Sequence, residues 1–497
     1  MKRPLASDGD ERSSDCAQPD VALCVDLDGT LIRSDVLVEG WLRCVKLDVW
    51  NALRSVGWLL RGIGHLKAEI ARRVPLDPVH LPVNDDVLAW LQTEYENGRR
   101  LVLCTAANSI DAHSIARHFG IFESVICSDP SRNLSGTAKA AALEERFGVG
   151  GFDYAGNESK DLHVWARARS AIVVAPTAGL RRRLDQVPRL ARIFDKGRPP
   201  LRLWLRAMRL HQWAKNVLVF VPALASHRIV EPPVAGAALL AFVWFGVCAS
   251  ATYLINDLLD LQDDRRHRWK RTRPFAAGQL SLMQGAVAAC LFLVVAFTGG
   301  ALTLGPLFVA CLAGYVVTTL WYSFSLKRIA MVDVLTLSGL YTLRILAGSA
   351  AVGIGPSFWL LVFSTFTFLS LGVAKRYAEL ETARLTASAV AAGRGYATGD
   401  LQLLLIIGTS AGLVSVLILA LYINMGTGDL YPRHEALWLL CPLWLYWICH
   451  IWFKTHRGEM HEDPVIFALR DRPSLVVGLL SGLLIWLATS PVTFLAR

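Results

Sequence analysis

The chain has 497 residues, of which 53% are apolar and only 19% are charged, so it is richer in apolar residues than an ordinary soluble protein. Its formal net charge is +10, but the basic residues flank apolar segments and no aromatic stacking platform accompanies them. This argues against a nucleic-acid-binding protein. The ten cysteines show no CxxC spacing and several fall in apolar segments, so we expect neither disulfides nor a zinc site.

Composition divides the chain into four parts. Residues 1–20 are polar and predict a disordered tail with no cleaved leader. Residues 21–176 alternate short apolar strands with helical stretches, which predicts a soluble α/β domain. Residues 177–212 are basic with interleaved Leu and Trp and predict an amphipathic connector along anionic headgroups. Residues 213–497 hold nine long apolar segments, and most reach the roughly 20 residues that cross a bilayer. Their approximate bounds are 213–229, 234–255, 284–304, 306–324, 330–353, 357–374, 401–423, 436–453 and 474–495.

The charge distribution between these segments predicts how they are oriented. With the N-terminal part in the cytoplasm and nine crossings, four loops face the cytoplasm and hold 6, 2, 4 and 4 Lys or Arg. These loops are 256–283, 325–329, 375–400 and 454–473. The opposite loops and the C-terminal tail hold only Arg228, Arg433 and Arg497. The asymmetry follows the positive-inside rule. We therefore expect a bacterial-type plasma-membrane protein with a cytoplasmic N-terminal domain and the C-terminus on the far side.

Polar residues of the soluble part lie where its predicted strands end. We expect strands at 21–25, 101–104, 124–127, 152–155 and 171–174. Asp26 and Asp28 follow the first strand, Thr105 follows the second, and Lys139 and Asp161 come later. Because ligands of a parallel sheet bind at the carboxyl ends of its strands, we expect these five side chains to meet there.

The Asp-Leu-Asp-Gly-Thr string at 26–30, with Thr105, Lys139 and Asp161, resembles the four motifs of the haloacid-dehalogenase-like phosphatases over residues 21–176. The resemblance implies a Rossmann-like domain with a helical cap. It implies Asp26 as the nucleophile and Asp28 as the general acid and base, with Thr105 and Lys139 holding the phosphate. Magnesium would be bound by Asp26, Asp28 and Asp161, because metal and lysine must cancel the charge repulsion between carboxylate and phosphate.

Two features of the soluble part leave alternatives open. Asn157 stands where the family usually has an acid, so the domain is either an active phosphatase with weaker metal binding or a degenerate structural domain. A helical insert at about 35–85 is expected to cap the site. Its apolar content at 41–73 exceeds what a small cap needs, which predicts either a cap that rests on the membrane and receives a lipid-linked substrate or an ordinary cap core.

Three spaced aspartates follow the second apolar segment. Asp257, Asp260 and Asp264 fall on one face of a helix, where like charges repel unless a cation compensates them. Oxygen ligands in this arrangement suit Mg²⁺ bound together with substrate phosphates. The basic residues Lys270 and Arg273 follow at once and are suited to binding a diphosphate. The pattern predicts a magnesium-diphosphate site at a membrane face.

The string NDLLDLQDD at 256–264 resembles the first aspartate motif of the UbiA superfamily of intramembrane prenyltransferases, and the resemblance spans about 205–495. It implies an all-α bundle of nine transmembrane helices. It also implies that Asn256, Asp257, Asp260 and Asp264 hold Mg²⁺ and a diphosphate.

The stretch KRYAEL at 375–380 distinguishes branches of that superfamily. Aromatic prenyltransferases carry a second aspartate motif there, whereas this chain has Lys375, Arg376 and Glu379, which suit a free phosphate better than a second metal. Together with YSFSLK at 322–327 and RILAG at 344–348, the stretch resembles the decaprenyl-phosphate phosphoribosyltransferase branch. That branch transfers phosphoribose from phosphoribosyl diphosphate to a polyprenyl phosphate.

This resemblance assigns roles to further cations. Lys375 and Arg376 would orient a phosphate, and Lys270 and Arg273 would steady the leaving diphosphate. Further candidates at membrane-helix ends or inside a helix are Lys215, Lys327 and Arg344, although lysines and arginines there also occur simply because they snorkel to the interface. Asp333 is expected to be either the partner of Arg344 or a helix cap.

The two halves together predict a bifunctional enzyme with one Mg²⁺ in each domain. It would form lipid-linked 5-phosphoribose and then remove the 5-phosphate, giving polyprenyl-phosphoryl ribose for cell-envelope glycans. One alternative is an aromatic prenyltransferase of the quinone type with a phosphatase or inactive domain. Another is a transporter or lipid-binding protein, against which the scarcity of ionisable residues inside the apolar segments argues. The sequence leaves polyprenyl length and oligomeric state open.

Overall fold

The computed structural model describes residues 21–195, 197, 199–385, 395–426, 431–460 and 463–489. The expected tail at 1–20 lies outside the described residues. The chain forms two compact units, which are described separately below. The first unit comprises Met1–Ala207 and Asp257–Val287, and the second comprises Met208–Asn256 and Ala288–Arg497.

A parallel sheet forms the centre of the first unit. Among the described residues its six strands run in the order β3-β2-β1-β4-β5-β6. They are β1 (Ala22–Val25), β2 (Leu101–Asn108), β3 (Ser124–Ser128), β4 (Phe152–Gly156), β5 (Ala171–Val174) and β6 (Leu190–Phe194). The register pairs Leu23 with Leu101 and Cys24 with Tyr154. The predicted α/β class and the first five strands are confirmed.

The strands β1 and β5 are apolar and buried at every position because helices cover both faces of the sheet. Leu23, Val25 and Leu103 belong to the core on one face. Cys24 and Val102 belong to the core on the other face, which is the alternation that a strand imposes. The helices of this unit are α1 (Val36–Leu47), α2 (Trp50–Leu60), α3 (Ile63–Arg73), α4 (Asp85–Glu96), α5 (Ser109–Phe119), α6 (Thr137–Phe147), α7 (Leu162–Trp165), α8 (Ala178–Arg181) and α9 (Leu201–Ala207).

The sixth strand was not predicted. It lies inside the segment that was expected to be an amphipathic connector, and it pairs with β5 at the edge of the sheet. Phe194 of this strand packs against Trp90 of α4, with ring centroids 5.3 Å apart. Because this edge strand is mostly exposed and the segment is basic, its sequence did not show the apolar pattern that predicts a strand.

Helices α1–α3 form the cap that the insert predicted. Asp35 begins α1, because its side chain accepts a hydrogen bond from the amide of Val38 at 2.9 Å. Trp58, Leu66 and Ile70 form a small apolar core between the cap helices. Two further elements of this unit lie in the chain that follows α11. They are α12 (Leu261–Arg266) and a 3-10 helix, Lys270–Thr272.

The second unit is built from long apolar helices. Its helices, two of which continue into the first unit, are α10 (Val221–Ala225), α11 (Pro232–Leu259), α13 (Leu282–Leu304), α14 (Pro306–Phe324), α15 (Val332–Val352), α16 (Phe358–Leu385), α17 (Leu401–Gly426), α18 (Leu440–His456), α19 (Pro464–Ala468) and α20 (Arg472–Thr489). Within the described ranges, eight helices are long and apolar enough to cross a membrane. The chain is a multi-pass membrane protein.

The first expected crossing differs from the prediction. Residues 213–229 form a 3-10 helix, Leu210–Phe220, followed by the short helix α10. The polar residues Lys215 and Asn216 and the proline at 222 interrupt a regular apolar helix here. This segment packs closely on α15, since a Cβ on Gly348 would overlap the carbonyl group of Val219.

Candidate active sites

A cavity of about 210 Å³ lies at the carboxyl ends of the central strands of the first unit. Its wall contains four of the residues that the sequence predicted for a phosphatase. These are Asp26, Asp28, Lys139 and Asp161. Asp26 and Asp28 leave β1 through a sharp turn in which Gly29 has a left-handed φ of 71°.

Asp26 and Lys139 form the charged centre of this cavity. The Lys139 Nζ donates to Asp26 Oδ1 at 2.9 Å, and the amide of Leu27 donates to the same oxygen at 2.9 Å. Burial raises the pKa of Asp26 to about 6, although Lys139 opposes the rise. Both donors therefore hold the same oxygen of the Asp26 carboxyl group, and its predicted role as a nucleophile stays a prediction.

Asp28 lies in the cavity wall beside the start of the cap helix α1. Its Oδ1 accepts a hydrogen bond from the amide of Val36, the first residue of α1, at 2.8 Å. Burial, followed by the charge of Asp35, raises the pKa of Asp28 well above the usual value. Burial therefore favours the protonated form of the Asp28 carboxyl group.

Asp161 lies in the cavity wall, Thr105 does not belong to the wall residues, and both side chains are engaged by neighbours. The fully buried Thr105 hydroxyl accepts from the amide of Ala107 at 3.0 Å. Asp161 accepts from the Tyr154 hydroxyl at 3.0 Å and from the amides of Asn157 and Glu158 at 3.0 and 2.9 Å. The roles predicted for Thr105 and Asp161 stay predictions.

Asn157 gives the observation that tests magnesium in this cavity. Its Oδ1 is buried and has no hydrogen-bond partner among the described residues. The side chain packs directly against Gly29, where a Cβ would overlap it. This amide oxygen and the carboxylates of the cavity wall are oxygen donors of the kind that Mg²⁺ prefers. The residues fit the metal, and Asp26, Asp28 and Asn157 or Asp161 would hold it.

Lys67 is a cavity residue that the sequence did not reveal. It lies on the cap helix α3, and its Nζ donates to the Ala106 carbonyl at 2.6 Å and to Asn133 Oδ1 at 2.8 Å. Burial lowers the pKa of Lys67. A single lysine in a helical insert carries no motif, so only the fold shows that it faces the cavity.

Residues 256–273, here called the aspartate segment, include the end of α11 and the chain that follows it. The expected single helix is broken here, because α11 ends at Leu259 and α12 begins at Leu261. Arg273 bridges two of the aspartates, with Nη1 3.2 Å from Asp257 Oδ1 and 2.6 Å from Asp264 Oδ2. Burial raises the pKa of Asp264 to about 6 despite Arg273. The sequence predicted that a cation must offset the repulsion between the aspartates. In this structure Arg273 supplies that positive charge for Asp257 and Asp264.

The third aspartate has a different cationic partner. Asp260 Oδ1 accepts from Lys46 Nζ of α1 at 2.7 Å. Among the described residues, no group of three or more His, Cys, Asp or Glu side chains is gathered around one metal position. The donor set still fits Mg²⁺ because it consists of carboxylates and the Asn256 amide alone. Lys270, which was predicted to steady the leaving diphosphate, is exposed.

Asp463 organises the cations of the second unit and was absent from the prediction. Its Oδ2 lies 2.7 Å from Lys215 Nζ and 3.1 Å from Lys375 Nζ. Its Oδ1 accepts from the Tyr341 hydroxyl at 3.0 Å. Burial acts to raise the pKa of Asp463, but the two lysines outweigh it and hold the pKa well below the usual range. Lys215 and Lys375 were both predicted and are brought together here.

Arg376 is buried away from this pair. Its guanidinium group binds Asp333 at 2.5 Å, Glu379 at 2.6 Å and the Tyr322 hydroxyl at 3.0 Å. Asp333 was expected either to pair with Arg344 or to cap a helix; it lies in the first turn of α15 and pairs with Arg376.

Arg344 and Lys327 lie elsewhere in the second unit. Arg344 donates to Asn216 Oδ1 at 3.0 Å and to the Leu340 carbonyl at 2.5 Å. Its guanidinium group also lies over the rings of Phe245 and Tyr315. These contacts satisfy a cation in mid-helix without a carboxylate. Lys327 is half-buried in a 3-10 helix, Leu326–Arg328. Their substrate-binding roles stay predictions.

Comparisons with known proteins give the context of these sites. The model of the UbiA prenyltransferase family matches residues 217–462. The chain is 36% identical to the protein y4nM of Sinorhizobium fredii, over 94% of this chain and 90% of the relative. It is 38% identical to decaprenyl-phosphate phosphoribosyltransferase of Mycobacterium tuberculosis, over 37% of this chain and 63% of the relative. A UbiA homolog from Archaeoglobus fulgidus, solved with GPP and Mg²⁺, is 16% identical with a TM-score of 0.45, covering 58% of this chain and 99% of that one.

Proposed function

This chain belongs to the UbiA prenyltransferase family, and from that premise we propose that it is a bifunctional membrane enzyme that acts on a lipid phosphate. The UbiA-like part of the chain transfers 5-phosphoribose from phosphoribosyl diphosphate to a polyprenyl phosphate. The phosphatase-like cavity then removes the 5-phosphate and leaves polyprenyl-phosphoryl ribose. The name of the M. tuberculosis relative supports the choice of donor and acceptor.

The observation that carries the proposal is the pair of lysines at Asp463. Lys215 and Lys375 place two ammonium groups at one carboxylate oxygen. Once a phosphate is present, the lysines have donors to share with it, since each ammonium group carries three. A second metal site would need carboxylates that are not already paired with cations, whereas Asp463 holds both lysines and Glu379 is engaged by Arg376. The arrangement supports a free phosphate as the second substrate group.

The transfer step needs charge stabilisation and positioning more than acid–base chemistry. Mg²⁺, when held by Asn256, Asp257, Asp260 and Asp264, would neutralise the diphosphate that leaves ribose C1. Lys270 and Arg273 add positive charge beside it. The lipid phosphate oxygen is already anionic and attacks C1 as the C1–O bond to diphosphate breaks. A general base is therefore unnecessary, and the bound lysines orient the attacking phosphate.

The phosphatase step uses Asp26 and Asp28 in sequence. The Asp26 carboxylate attacks phosphorus, and the ribose 5-oxygen leaves with the proton from Asp28. Water then attacks the aspartyl-phosphate while Asp28 takes a proton from it, releasing inorganic phosphate and restoring Asp26. Lys139 and Lys67 supply positive charge from opposite parts of the cavity wall. Their position supports a phosphate substrate rather than a purely structural domain.

The distribution of basic residues supports cytoplasmic placement of both sites. The chain leaves the first unit after Ala207 and returns to it at Asp257, and α11 makes one crossing in between. We infer that residues 210–231 also cross, in line with the crossing expected at 213–229. A 3-10 helix of 11 residues followed by five α-helical residues reaches about 30 Å, the thickness of a hydrocarbon core. The basic loops then favour the cytoplasmic side of a bacterial-type plasma membrane.

Mass spectrometry of the lipid products tests the proposal. Purified protein receives Mg²⁺, phosphoribosyl diphosphate and a polyprenyl phosphate, and we expect lipid-linked ribose without its 5-phosphate. Asp26→Asn should stop the reaction at lipid-linked phosphoribose, and Asp257→Asn should stop it before any lipid product forms. Removal of the 5-phosphate by Asp26→Asn protein would reject the bifunctional scheme. Transfer of a prenyl group to a hydroxybenzoate, with no lipid-linked ribose, would establish the aromatic prenyltransferase instead.

A further inference from the structure

One face of the cap helix α1 contacts the aspartate segment. Both elements belong to the first unit, since this unit includes Asp257–Val287. Glu39 and Lys46 are seven residues apart on α1, which places them two turns apart on the same side of the helix. Their partners, Asp260, Asp263 and Arg265, lie within the aspartate segment. The phosphatase cap and the predicted transferase metal site are thus joined by ionic contacts.

Glu39 and Arg265 form a bidentate ion pair. Arg265 Nη1 and Nη2 each lie 2.7 Å from a Glu39 carboxylate oxygen, and Gln262 Nε2 donates to Glu39 at 2.9 Å. The side chains are 0% and 3% exposed. Arg265 also donates to the Ala276 carbonyl at 3.0 Å. Since Arg265 directly follows Asp264 in α12, this pair fixes the helix that carries a predicted metal ligand.

Lys46 contacts the segment at its other end. Its Nζ lies 2.7 Å from Asp260 Oδ1 and 2.6 Å from Asp263 Oδ2. The Lys46 and Asp260 side chains are 14% and 26% exposed, so this pair is largely shielded from water, whereas Asp263 is 68% exposed and its contact with Lys46 is a surface pair. An exposed ion pair contributes little, whereas a largely buried one fixes geometry at the cost of desolvation. The lysine places a positive charge within hydrogen-bond distance of a carboxylate predicted to face Mg²⁺.

We propose that α1 supplies two residues to the aspartate site: Glu39 positions α12 through Arg265, and Lys46 provides a cation to the diphosphate of the donor. The inference rests on the proposed function, because it assumes that Mg²⁺ and a diphosphate bind there. The phosphatase-like unit then has a second role, as a structural part of the transferase site. The soluble part would be needed for transfer even when its own phosphatase chemistry is switched off.

The role proposed for Lys46 predicts opposite effects on the affinities for two ligands, Mg²⁺ alone and the Mg²⁺-diphosphate complex. Lys46 repels a bare Mg²⁺ and shares Asp260 with it, so removing the lysine should strengthen binding of the metal alone. The same lysine attracts an anionic Mg²⁺-diphosphate complex through a charge-assisted hydrogen bond, so removing it should weaken that binding. A residue that served only to hold the fold together would change both affinities in the same direction.

Calorimetry on the full-length protein measures both effects. Mg²⁺ alone and Mg²⁺ with inorganic diphosphate are titrated into wild type, Lys46→Met and Lys46→Arg. For Lys46→Met we expect tighter binding of Mg²⁺ and about tenfold weaker binding of the diphosphate complex. Lys46→Arg should stay near wild type. Arg72→Met removes an exposed cap cation that pairs with Glu69 and should change neither. Binding that disappears in Asp257→Asn is assigned to this site.

Glu39→Gln tests the positioning residue. It keeps the size of the side chain but removes the charge that Arg265 requires, so lipid-linked phosphoribose should form at least about tenfold more slowly. Hydrolysis of p-nitrophenyl phosphate in the cavity should remain near wild type.

If Glu39→Gln protein does not fold, the Lys46 titrations alone test the proposal. Equal diphosphate affinity in wild type and Lys46→Met would overturn the proposal. Wild type could make no lipid-linked phosphoribose while Lys46→Met still shifts the affinities for Mg²⁺ and for the diphosphate complex in opposite directions. In that case phosphoribosyl diphosphate is not the donor, but the role of α1 stands.

Discussion

Lys215 and Asp463 are 248 residues apart in the chain, yet Lys215 Nζ and Asp463 Oδ2 lie 2.7 Å apart. The contact joins the 3-10 helix Leu210–Phe220 to the start of α19, where Asp463 also accepts from the amide of Val465. Lys375 of α16 approaches the same oxygen at 3.1 Å. One carboxylate therefore holds three separate parts of the second unit together and keeps two cations side by side.

Asp463→Asn should abolish most transfer activity and lower stability. Removing one partner of a buried ion pair costs about 3–5 kcal/mol, because the remaining charges are left uncompensated. Here two lysines would face each other without a carboxylate. We expect a lower thermal unfolding temperature in detergent and a transfer rate reduced by at least an order of magnitude.

Glu459→Gln is the matched control for this change. Glu459 pairs with Lys454 near the end of α18, but both side chains are about one-third to one-half exposed. An exposed pair contributes little to stability, so stability and transfer should stay near wild type. If Asp463→Asn protein were as stable and active as this control, Asp463 would have no organising role.

Asp28→Asn should slow phosphate release while leaving lipid-linked phosphoribose formation intact. An amide cannot donate the proton that the ribose 5-oxygen requires, and losing a general acid costs about 10²- to 10⁴-fold in rate. Accumulation of lipid-linked phosphoribose in a time course measures the effect. Asp185→Asn, outside the cavity, is the control. An unchanged rate for Asp28→Asn would point to a different proton donor.

Asp111 makes stability depend on pH. Burial raises its pKa to about 6 in the folded protein, above the usual 3.8, while the hydrogen bond from the amide of Leu76 acts to lower it. Its contribution is fully present below the unfolded pKa and is lost as pH rises through about 6. Two pKa units correspond to roughly 3 kcal/mol. We therefore expect Asp111→Asn to unfold at a higher temperature than wild type at pH 8 and to lose this advantage near pH 4.

Asp129 provides a control of opposite sign. The side chain and amide of Ser131 and the amide of Arg132 donate to its carboxylate and lower its pKa. That contribution is present at neutral pH and is lost as pH falls. Asp129→Asn should therefore never be more stable than wild type at pH 8. A pH-independent difference for Asp111→Asn would show that its carboxyl group is not titrating between these values.

The cap helix α2 exposes apolar side chains and buries polar ones. Trp50, Leu53 and Leu60 are 62%, 65% and 84% exposed, whereas Asn51 and Ser55 are buried. This pattern favours the membrane-resting cap over the ordinary cap core. We expect Leu53→Ser with Leu60→Ser to slow hydrolysis of a lipid-linked phosphoribose in vesicles by about tenfold, since each leucine loses its burial in the interface.

Hydrolysis of p-nitrophenyl phosphate should be unaffected by the same double change. Val149→Ser removes an equally exposed apolar side chain outside the cap and should change neither reaction. Equal losses with the lipid-linked and the soluble substrate would mean that α2 supports the cap fold and has no role at the membrane.

Local patterns in the sequence predicted the elements and the motifs. An apolar run that ends in Asp26 and Asp28 predicts a buried strand with a site at its end, and β1 and its cavity follow that pattern. A long apolar segment that ends at Asp257 likewise predicts a membrane helix with acids at its boundary. Such patterns are readable because they repeat over a few residues and depend on the backbone geometry of one element.

By itself, the sequence determined the α/β class, the membrane helices and the positions of the aspartates. Only the tertiary structure decided which charges meet: Asp463 with Lys215 and Lys375, Arg376 with Asp333, and Glu39 with Arg265. Each of these pairs joins elements that are distant in the chain. Their proximity depends on how helices pack, and a buried charge selects its partner by that packing because an unpaired charge is costly.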